Sequence, residues 1–436
     1  MTTKRFHEIR DPVAVFVKLD TAEREVLNSA PVQRLRHIHQ LALTYLVYPG
    51  ATHRRFEHSL GVMHLASRVF DVITDEENRH DGCRDIFPAV DELRYWRRVL
   101  RMAALCHDIG HLPFSHAAEE LLPDKKTHED LTYALIKSPE MERLWNTLTP
   151  PLNTNHIAKL ALGQKELPME TFSNWEAILS EIITGNAFGV DRIDYLLRDS
   201  LHAGVAYGKF DHYRLIDTLR ILPSGENNLS EPTLGVEAGG LHSAEALILA
   251  RHFMFTQLYC HPVRRIYDIH LKEFLLATLP GGKYSADIRS HLQITDAEIT
   301  TEIRKAAADE NHPGHLPAVR ISNRQHYRLL YERNPEDIKA NLQSVQMVFE
   351  AACVEFGEEN VRRDHYSKNA GIIDFPVLTP MNGIVSSWVL SEIIPTIPSI
   401  VVDSVFVSPL IKAKAALWLA KNKTDIIQRV EKEEEQ

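Results

Sequence analysis

Histidines gather where acids do in this chain. Ten of the 23 histidines fall between His37 and His128, less than a quarter of the 436 residues. A single histidine is usually a satisfied core or surface residue, but a cluster beside carboxylates points to metal binding or proton transfer. Three segments hold the concentration. The first is His53-Arg54-Arg55-Phe56-Glu57-His58-Ser59-Leu60-Gly61 and the second is His107-Asp108-Ile109-Gly110-His111-Leu112-Pro113-Phe114-Ser115-His116. The third is Asp191-Arg192-Ile193-Asp194-Tyr195-Leu196-Leu197-Arg198-Asp199.

In the third segment a helical period sets Asp191, Asp194, Tyr195, Arg198, Asp199 and His202 along one face, with Val190, Ile193, Leu196 and Leu197 on the other. A solvated charged face is the ordinary reading of such a helix. A tyrosine among the acids, and a histidine continuing the face, favour the lining of a polar cleft. In the second segment, dense apolar residues from Val99 to Leu105 predict a helix buried on most sides that delivers His107 and Asp108 at its end. Adjacent side chains on a straight helix point about 100° apart and do not share an ion easily, whereas at a bending helix end they can. Two imidazoles and two carboxylates suit a first-row divalent ion of intermediate hardness such as manganese, iron or zinc, with magnesium also open. Such an ion polarises a phosphoryl group and acidifies water.

The elements that must position these groups are mostly helical from about residue 20 to residue 275. Thr127 with Asp130 predicts a capping box ahead of Leu131, Ala134 and Leu135. Ala244 to His261 reads as one long helical run with Ser243 as its cap. The break at Leu279-Pro280-Gly281-Gly282 marks a change of character. Beyond it come β-branched runs at Ile372–Val377 and Ile400–Val402. The expected architecture is mainly α-helical, a catalytic core over 1–278 and a smaller mixed α/β lobe over 279–436 serving assembly or regulation.

Composition narrows the function classes. Hydrophobic residues at 44% with charged residues at 25% are the balance of a globular chain. No apolar run approaches the ~20 residues of a membrane span, and the first eight residues lack an apolar signal core, so a cytoplasmic protein is expected. The four cysteines show neither metal-site nor disulfide spacing. A net charge of −10 does not favour a protein that coats nucleic acid, although a local basic groove stays open.

Together these segments resemble the HD-domain superfamily, whose metal ligands run in the order His, His-Asp, Asp. One branch is closer still. Gln33-Arg34-Leu35-Arg36, Gln40-Leu41, Tyr45, Pro49-Gly50-Ala51 and Arg55 to Val62 resemble the dNTP triphosphohydrolases that include the sterile-alpha-motif/HD-domain enzyme. Leu105 to His111, Pro113 to His116, His128-Glu129, Asp191-Arg192, Asp194-Tyr195 and Arg198-Asp199 continue the likeness over roughly residues 10 to 275.

The resemblance implies an HD helical core with His58, His107, Asp108 and Asp191 as ligands of a divalent metal. It implies that His111, His116, His128 and Glu129 surround the phosphates, with His116 as proton donor to the departing 5′ oxygen. Arg55, Arg192 and Arg251 are then phosphate contacts, Tyr195 and Asp199 meet the sugar, Tyr259 packs against it, and Gln40 sits near the base or sugar edge. The implied reaction releases a deoxynucleoside and inorganic triphosphate. A dimer or tetramer is expected, with Arg36, Arg324 and Arg328 as contacts for a regulatory nucleotide.

Several positions depart from the family. Phe255 and Cys260 stand where it has a histidine and a glutamine, Arg192 replaces a lysine, and Asn28 replaces an acid that reads guanine in the effector pocket. These bear on base preference and activation and leave the four ligand positions intact. The alternative reading is an HD-type nuclease or phosphodiesterase acting on DNA ends or a signalling nucleotide. A non-catalytic nucleotide sensor is the third reading, disfavoured because every ligand position is filled.

Overall fold

The computed structural model describes residues 6–223, 231–368 and 373–428, apart from the side chains of His116 and Lys368. The fold is mainly helical, with three small sheets among the described residues. By internal contacts it divides into two compact units, one formed by Met1–Met254, Tyr284–Ile299 and Gly371–Pro398, the other by Phe255–Lys283, Thr300–Ala370 and Ser399–Gln436.

The first unit is built around the helix Arg55–Thr74, which packs against the helices Val90–Cys106 and Val190–Ala203. Its apolar residues Phe56, Leu60, Val62, Met63, Leu65, Ala66, Val69 and Phe70 are all buried. Each large one contributes about 1.5–3 kcal/mol on leaving water. Such a helix can be enclosed because its backbone groups bond within the helix. The helix Val90–Cys106 behaves as its composition predicts, with every residue from Val99 to Cys106 buried. Thr127 and Asp130 form the expected reciprocal cap of the helix His128–Ile136.

Ahead of the stretch read as helical, the described residues begin with an antiparallel pair, Phe6–Asp11 with Val15–Asp20. Elsewhere the sequence reading needs correction. Inside the stretch read as helical, Leu219–Pro223 pairs antiparallel with Pro232–Glu237. The latter strand runs parallel to Pro376–Leu378, which in turn pairs antiparallel with Ile384–Ser386. Ser243 is not a cap. A 3-10 turn at Ala238–Gly240 runs directly into the helix Leu241–Met254, which therefore starts two residues ahead of Ser243. The run expected to reach His261 changes at Phe255–Tyr259 to a single π-helical turn, a device often found at functional sites.

The second unit carries a three-stranded antiparallel sheet with Ile400–Val407 in the middle, between Arg328–Glu332 and Val361–Lys368. The helices Ser344–Phe356 and Lys412–Gln428 close its core through Val345, Val348, Ala352, Val405, Val407, Ala415 and Leu419. Among the described residues no helix is long and apolar enough to cross a membrane.

Candidate metal centre and substrate cleft

Three helices converge their polar residues on one point. The helix Val90–Cys106 stops with His107 as its C-cap, so His107 and Asp108 leave the helix together, as the spacing requires. His107 donates through Nδ1 to the Ala104 carbonyl at 2.8 Å, which fixes the tautomer and leaves Nε2 as a lone-pair donor. That Nε2 is buried, makes no hydrogen bond, and lies 3.4 Å from Asp108 Oδ1 and 3.5 Å from Asp191 Oδ1. The helix Arg55–Thr74 contributes His58, whose Nε2 is 3.0 Å from Asp191 Oδ1 and 3.7 Å from Asp108 Oδ2. Asp191 enters from the helix Val190–Ala203. Its side chain is 37% exposed, against 1–9% for the other three, so it marks the mouth of the centre.

The electrostatics suit a cation. Burial disfavours charge on both histidines, yet hydrogen bonds with Asp191 and Asp194 carry His58 up to about 10, and Asp108 and Asp191 raise His107. Burial also opposes ionisation of Asp108, but His107, Arg55 and His111 hold it well below the usual carboxylate range; Asp191 is held down by His107 and His58. Ligand atoms of His58, His107 and Asp108 lie within 4.8 Å of one another. A buried, unpartnered imidazole nitrogen beside two ionised carboxylates suits a divalent ion.

Around this point stand the groups expected near phosphate. Arg55 donates through Nη1 to Asp108 Oδ2 at 2.5 Å and through Nε to Ser115 Oγ at 2.9 Å. His111 Nε2 is 3.3 Å from Asp108 Oδ1, and burial, with Arg55 and His128 nearby, keeps its imidazole well below its usual range. His111 stacks on His128 at 3.8 Å. His128 Nδ1 meets Glu119 Oε1 at 2.5 Å and Glu129 Oε2 at 3.1 Å. The side chain of His116, the expected proton donor, lies outside the described residues. Its neighbours Phe114 and Ser115 hold left-handed backbone, φ 56° and 59°, and Asp296 Oδ1 accepts from Phe114 N at 2.8 Å. Non-glycine residues in that region cost energy and cluster at ligand sites.

The helix Val190–Ala203 differs from the expected cleft lining in one respect. Asp194, Arg198 and Asp199 are buried, 0–1% exposed; Arg198 bonds to Asp194, while Asp199 meets His53. Burial raises the Tyr195 phenol, while the nearby Arg192 and Arg251 guanidiniums pull it down. Arg192 Nη1 donates to the carbonyls of Gly185 and Asn186, both at 2.6 Å, and Arg251 Nη1 approaches Asn186 Oδ1 at 3.4 Å. Gln40 donates its backbone N–H to the His53 carbonyl at 3.0 Å, and its Oε1 is buried without a hydrogen bond. Tyr259 belongs to the second unit, edge-on to Phe255 at 5.0 Å.

Four supporting residues carry no role in the sequence reading: Asp11, Glu119, Asp296 and His53. Asp11 accepts from Arg198, Glu119 from His128, and Asp296 Oδ2 from His39 N at 2.7 Å. His53 lay inside a flagged segment, but nothing in its spacing reveals its partner.

A family model for the HD domain matches residues 55–199, and one for an HD associated region matches residues 210–389. The chain is 32% identical over 296 residues to an uncharacterized protein of Methanocaldococcus jannaschii, covering 68% of this chain and 54% of that one. It is 29% identical over 327 residues to the human deoxynucleoside triphosphate triphosphohydrolase, covering 68% of this chain and 49% of the relative. The chain spans about half the length of the curated relatives it matches. A crystal structure of a hypothetical protein from Aquifex aeolicus superposes with a TM-score of 0.77 at 32% identity, covering 95% of this chain and 100% of the other.

Proposed function

The chain belongs to the HD-domain family of hydrolases, and from that premise we propose that it cleaves deoxynucleoside triphosphates into deoxynucleoside and inorganic triphosphate. One observation carries the reading: Tyr195 and Asp199 follow Asp191 on the same helix. At 1.5 Å per residue they stand about 6 Å and about 12 Å along the axis from it. A sugar held by Tyr195 and Asp199 therefore brings its 5′ end, and the first phosphate after it, to the cluster of His58, His107, Asp108 and Asp191.

A divalent ion held by those four residues would supply polarisation of a phosphoryl oxygen and a more acidic water. The protein's own groups do the rest. Arg192 and Arg251, both near Tyr195, neutralise the phosphate chain, a task suited to planar guanidiniums. Water attacks the α-phosphorus, and the 5′ oxygen leaves as a poor alkoxide that needs a proton. With His128 Nδ1 engaged by Glu119, proton delivery from that residue runs through Nε2. His116 is the other donor in this proposal. The human relative's name supports the substrate class.

Product analysis by anion chromatography in labelled water tests the reading. Deoxynucleoside and triphosphate, with label on the α-phosphate, are expected. Monophosphate with pyrophosphate would overturn the placement of the sugar. Turnover confined to cyclic dinucleotides or single-stranded DNA would favour the phosphodiesterase or nuclease alternative.

The proposal includes a dimer or tetramer and a regulatory nucleotide. In the second unit Arg328 and Arg324 stand near His326, and with burial first they push its imidazole down to about 4. In the first unit Arg36 lies 3.5 Å over the Phe56 ring. Light scattering at micromolar protein, with and without each dNTP, checks this. A monomer unaffected by nucleotide would remove it.

A further inference from the structure

His53 joins two of the residues proposed on the sugar side, Gln40 and Asp199. Its carbonyl accepts from Gln40 N, and its Nε2 donates to Asp199 Oδ1 at 2.7 Å. Both side chains are enclosed, 0% and 2% exposed. The His53 ring stacks on His202 at 4.4 Å, nearly parallel at 17°. His202 is backed by the Pro49-Gly50 loop, where a Cβ on residue 50 would lie 2.4 Å from the His202 carbonyl oxygen; only glycine permits that approach. Three buried polar atoms here make no hydrogen bond: Gln40 Oε1, His53 Nδ1 and His202 Nε2.

Such a cluster of unmet polar groups is rare in a packed interior and asks for a polar ligand or a function. A carboxylate accepts a hydroxyl well only if its direction is held, because hydrogen bonds weaken steeply away from linearity. Asp199 projects from a helix with two rotatable bonds, and the imidazole N–H on Oδ1 tethers it.

We propose that His53 is a positioning residue which holds Asp199 for a sugar 3′-hydroxyl, so that discrimination between 3′-hydroxyl and 3′-deoxy sugars runs through His53. This rests on the deoxynucleotide reading above. The stacked His202 keeps the His53 ring from rotating, and the His53 carbonyl sets Gln40 in the same stroke.

The test compares a dNTP with its 2′,3′-dideoxy analogue in wild type, His53→Gln, His53→Phe and Asp199→Asn. Wild type should favour the dNTP in kcat/KM. His53→Phe keeps the stacking ring and removes the donor, so the preference should fall about ten-fold or more, the size of one hydrogen bond to a charged group. Its rate on the dideoxy analogue should stay near that of wild type. His53→Gln places an amide N–H near the position of Nε2 and should keep the preference, while Asp199→Asn should lose it. Should His53→Phe fail to fold, His53→Asn, too short to reach Asp199, carries the same expectation. Equal losses on both substrates would mark a merely structural histidine and overturn the proposal alone. No turnover of either substrate by wild type would remove the deoxynucleotide reading, and this inference with it.

Discussion

His58 donates its Nδ1 proton to Asp194 Oδ2 at 2.8 Å, and this turns Nε2 toward Asp191 and Asp108. Asp194 does not stand alone. Arg198 grips it through Nε at 2.8 Å and Nη2 at 2.9 Å, and reaches Asp11 through Nη1 at 2.8 Å. All four side chains are buried. The chain Asp11–Arg198–Asp194–His58 thus sets the tautomer of a candidate metal ligand from outside the ligand set.

Asp194→Asn should therefore weaken metal binding about 10- to 100-fold, the usual effect of losing a partner behind a ligating histidine. Its amide competes for Nδ1 as a donor while Asp11 still neutralises Arg198, so the fold should persist. Isothermal titration with manganese or zinc measures this. An affinity equal to wild type would show that the Asp194 charge does not tune His58.

Gly61 faces this network across the helix pair. A Cβ there would lie 1.9 Å from Asp194 Oδ1 and 2.4 Å from Arg198 Nη2, both buried and tied by hydrogen bonds to each other. Gly61→Ala should cost about 1–3 kcal/mol or more through overpacking, even though alanine is the better helix former by about 1 kcal/mol. Denaturant unfolding should show the loss alongside reduced metal retention. A stability gain would mean that the two helices are not pressed together here.

His107→Ala and Asp108→Ala should both abolish metal retention, since each removes one of four ligands. They should differ in stability. His107→Ala leaves no charge stranded, whereas Asp108→Ala strips the carboxylate from Arg55, which is buried. Removing one partner of a buried pair costs about 3–5 kcal/mol. Metal analysis and urea unfolding on both variants check the two halves. Stoichiometric ion in either variant would remove that residue from the ligand set.

What could be read in advance, and what could not, divides along chain distance. His107 and Asp108 were legible because an apolar helix with a definite end dictates where its next two residues go. Asp191, Asp194 and Arg198 were legible as one helix face because period alone groups them. That Asp194 and Arg198 face inward was not, because the helical period fixes relative direction and is silent on what covers the face. Asp11 is 187 residues from Arg198, on a strand whose alternation resembles any exposed edge. Asp296 reaches Phe114 over 182 residues, and a lone acid at a helix start reads as a cap. Ser243 misled for the converse reason: the local cap signal was sound, but a preceding 3-10 turn had already begun the helix.

In the second unit, acid sensitivity should trace to Glu273. Its carboxylate accepts from Arg320 Nη1 at 2.9 Å, from Arg362 Nε and from His270 Nδ1 at 3.0 Å. Burial opposes ionisation, but these donors hold it down to about 2. His270 adds no charge at neutral pH. Its own value is lowered, chiefly by burial, and its Nε2 accepts from Tyr327 N at 3.2 Å, which requires the neutral ring. The lasting counter-charges of Glu273 are therefore the two arginines. Because the folded carboxyl titrates below its unfolded value, its contribution is fully present above about pH 4.5. It is lost as the pH falls toward 2, and a shift of this size corresponds to about 3 kcal/mol. The depressed His270 works in the same direction from higher pH, since the unfolded ring takes up a proton more readily than the folded one. Glu273→Gln should thus lower stability by about 3 kcal/mol at pH 7, and the gap to wild type should close as the pH falls from 4.5 toward 2. Urea unfolding of both proteins across that range measures it. A gap that stays constant down to pH 2 would mean that Glu273 contributes by shape and not by charge.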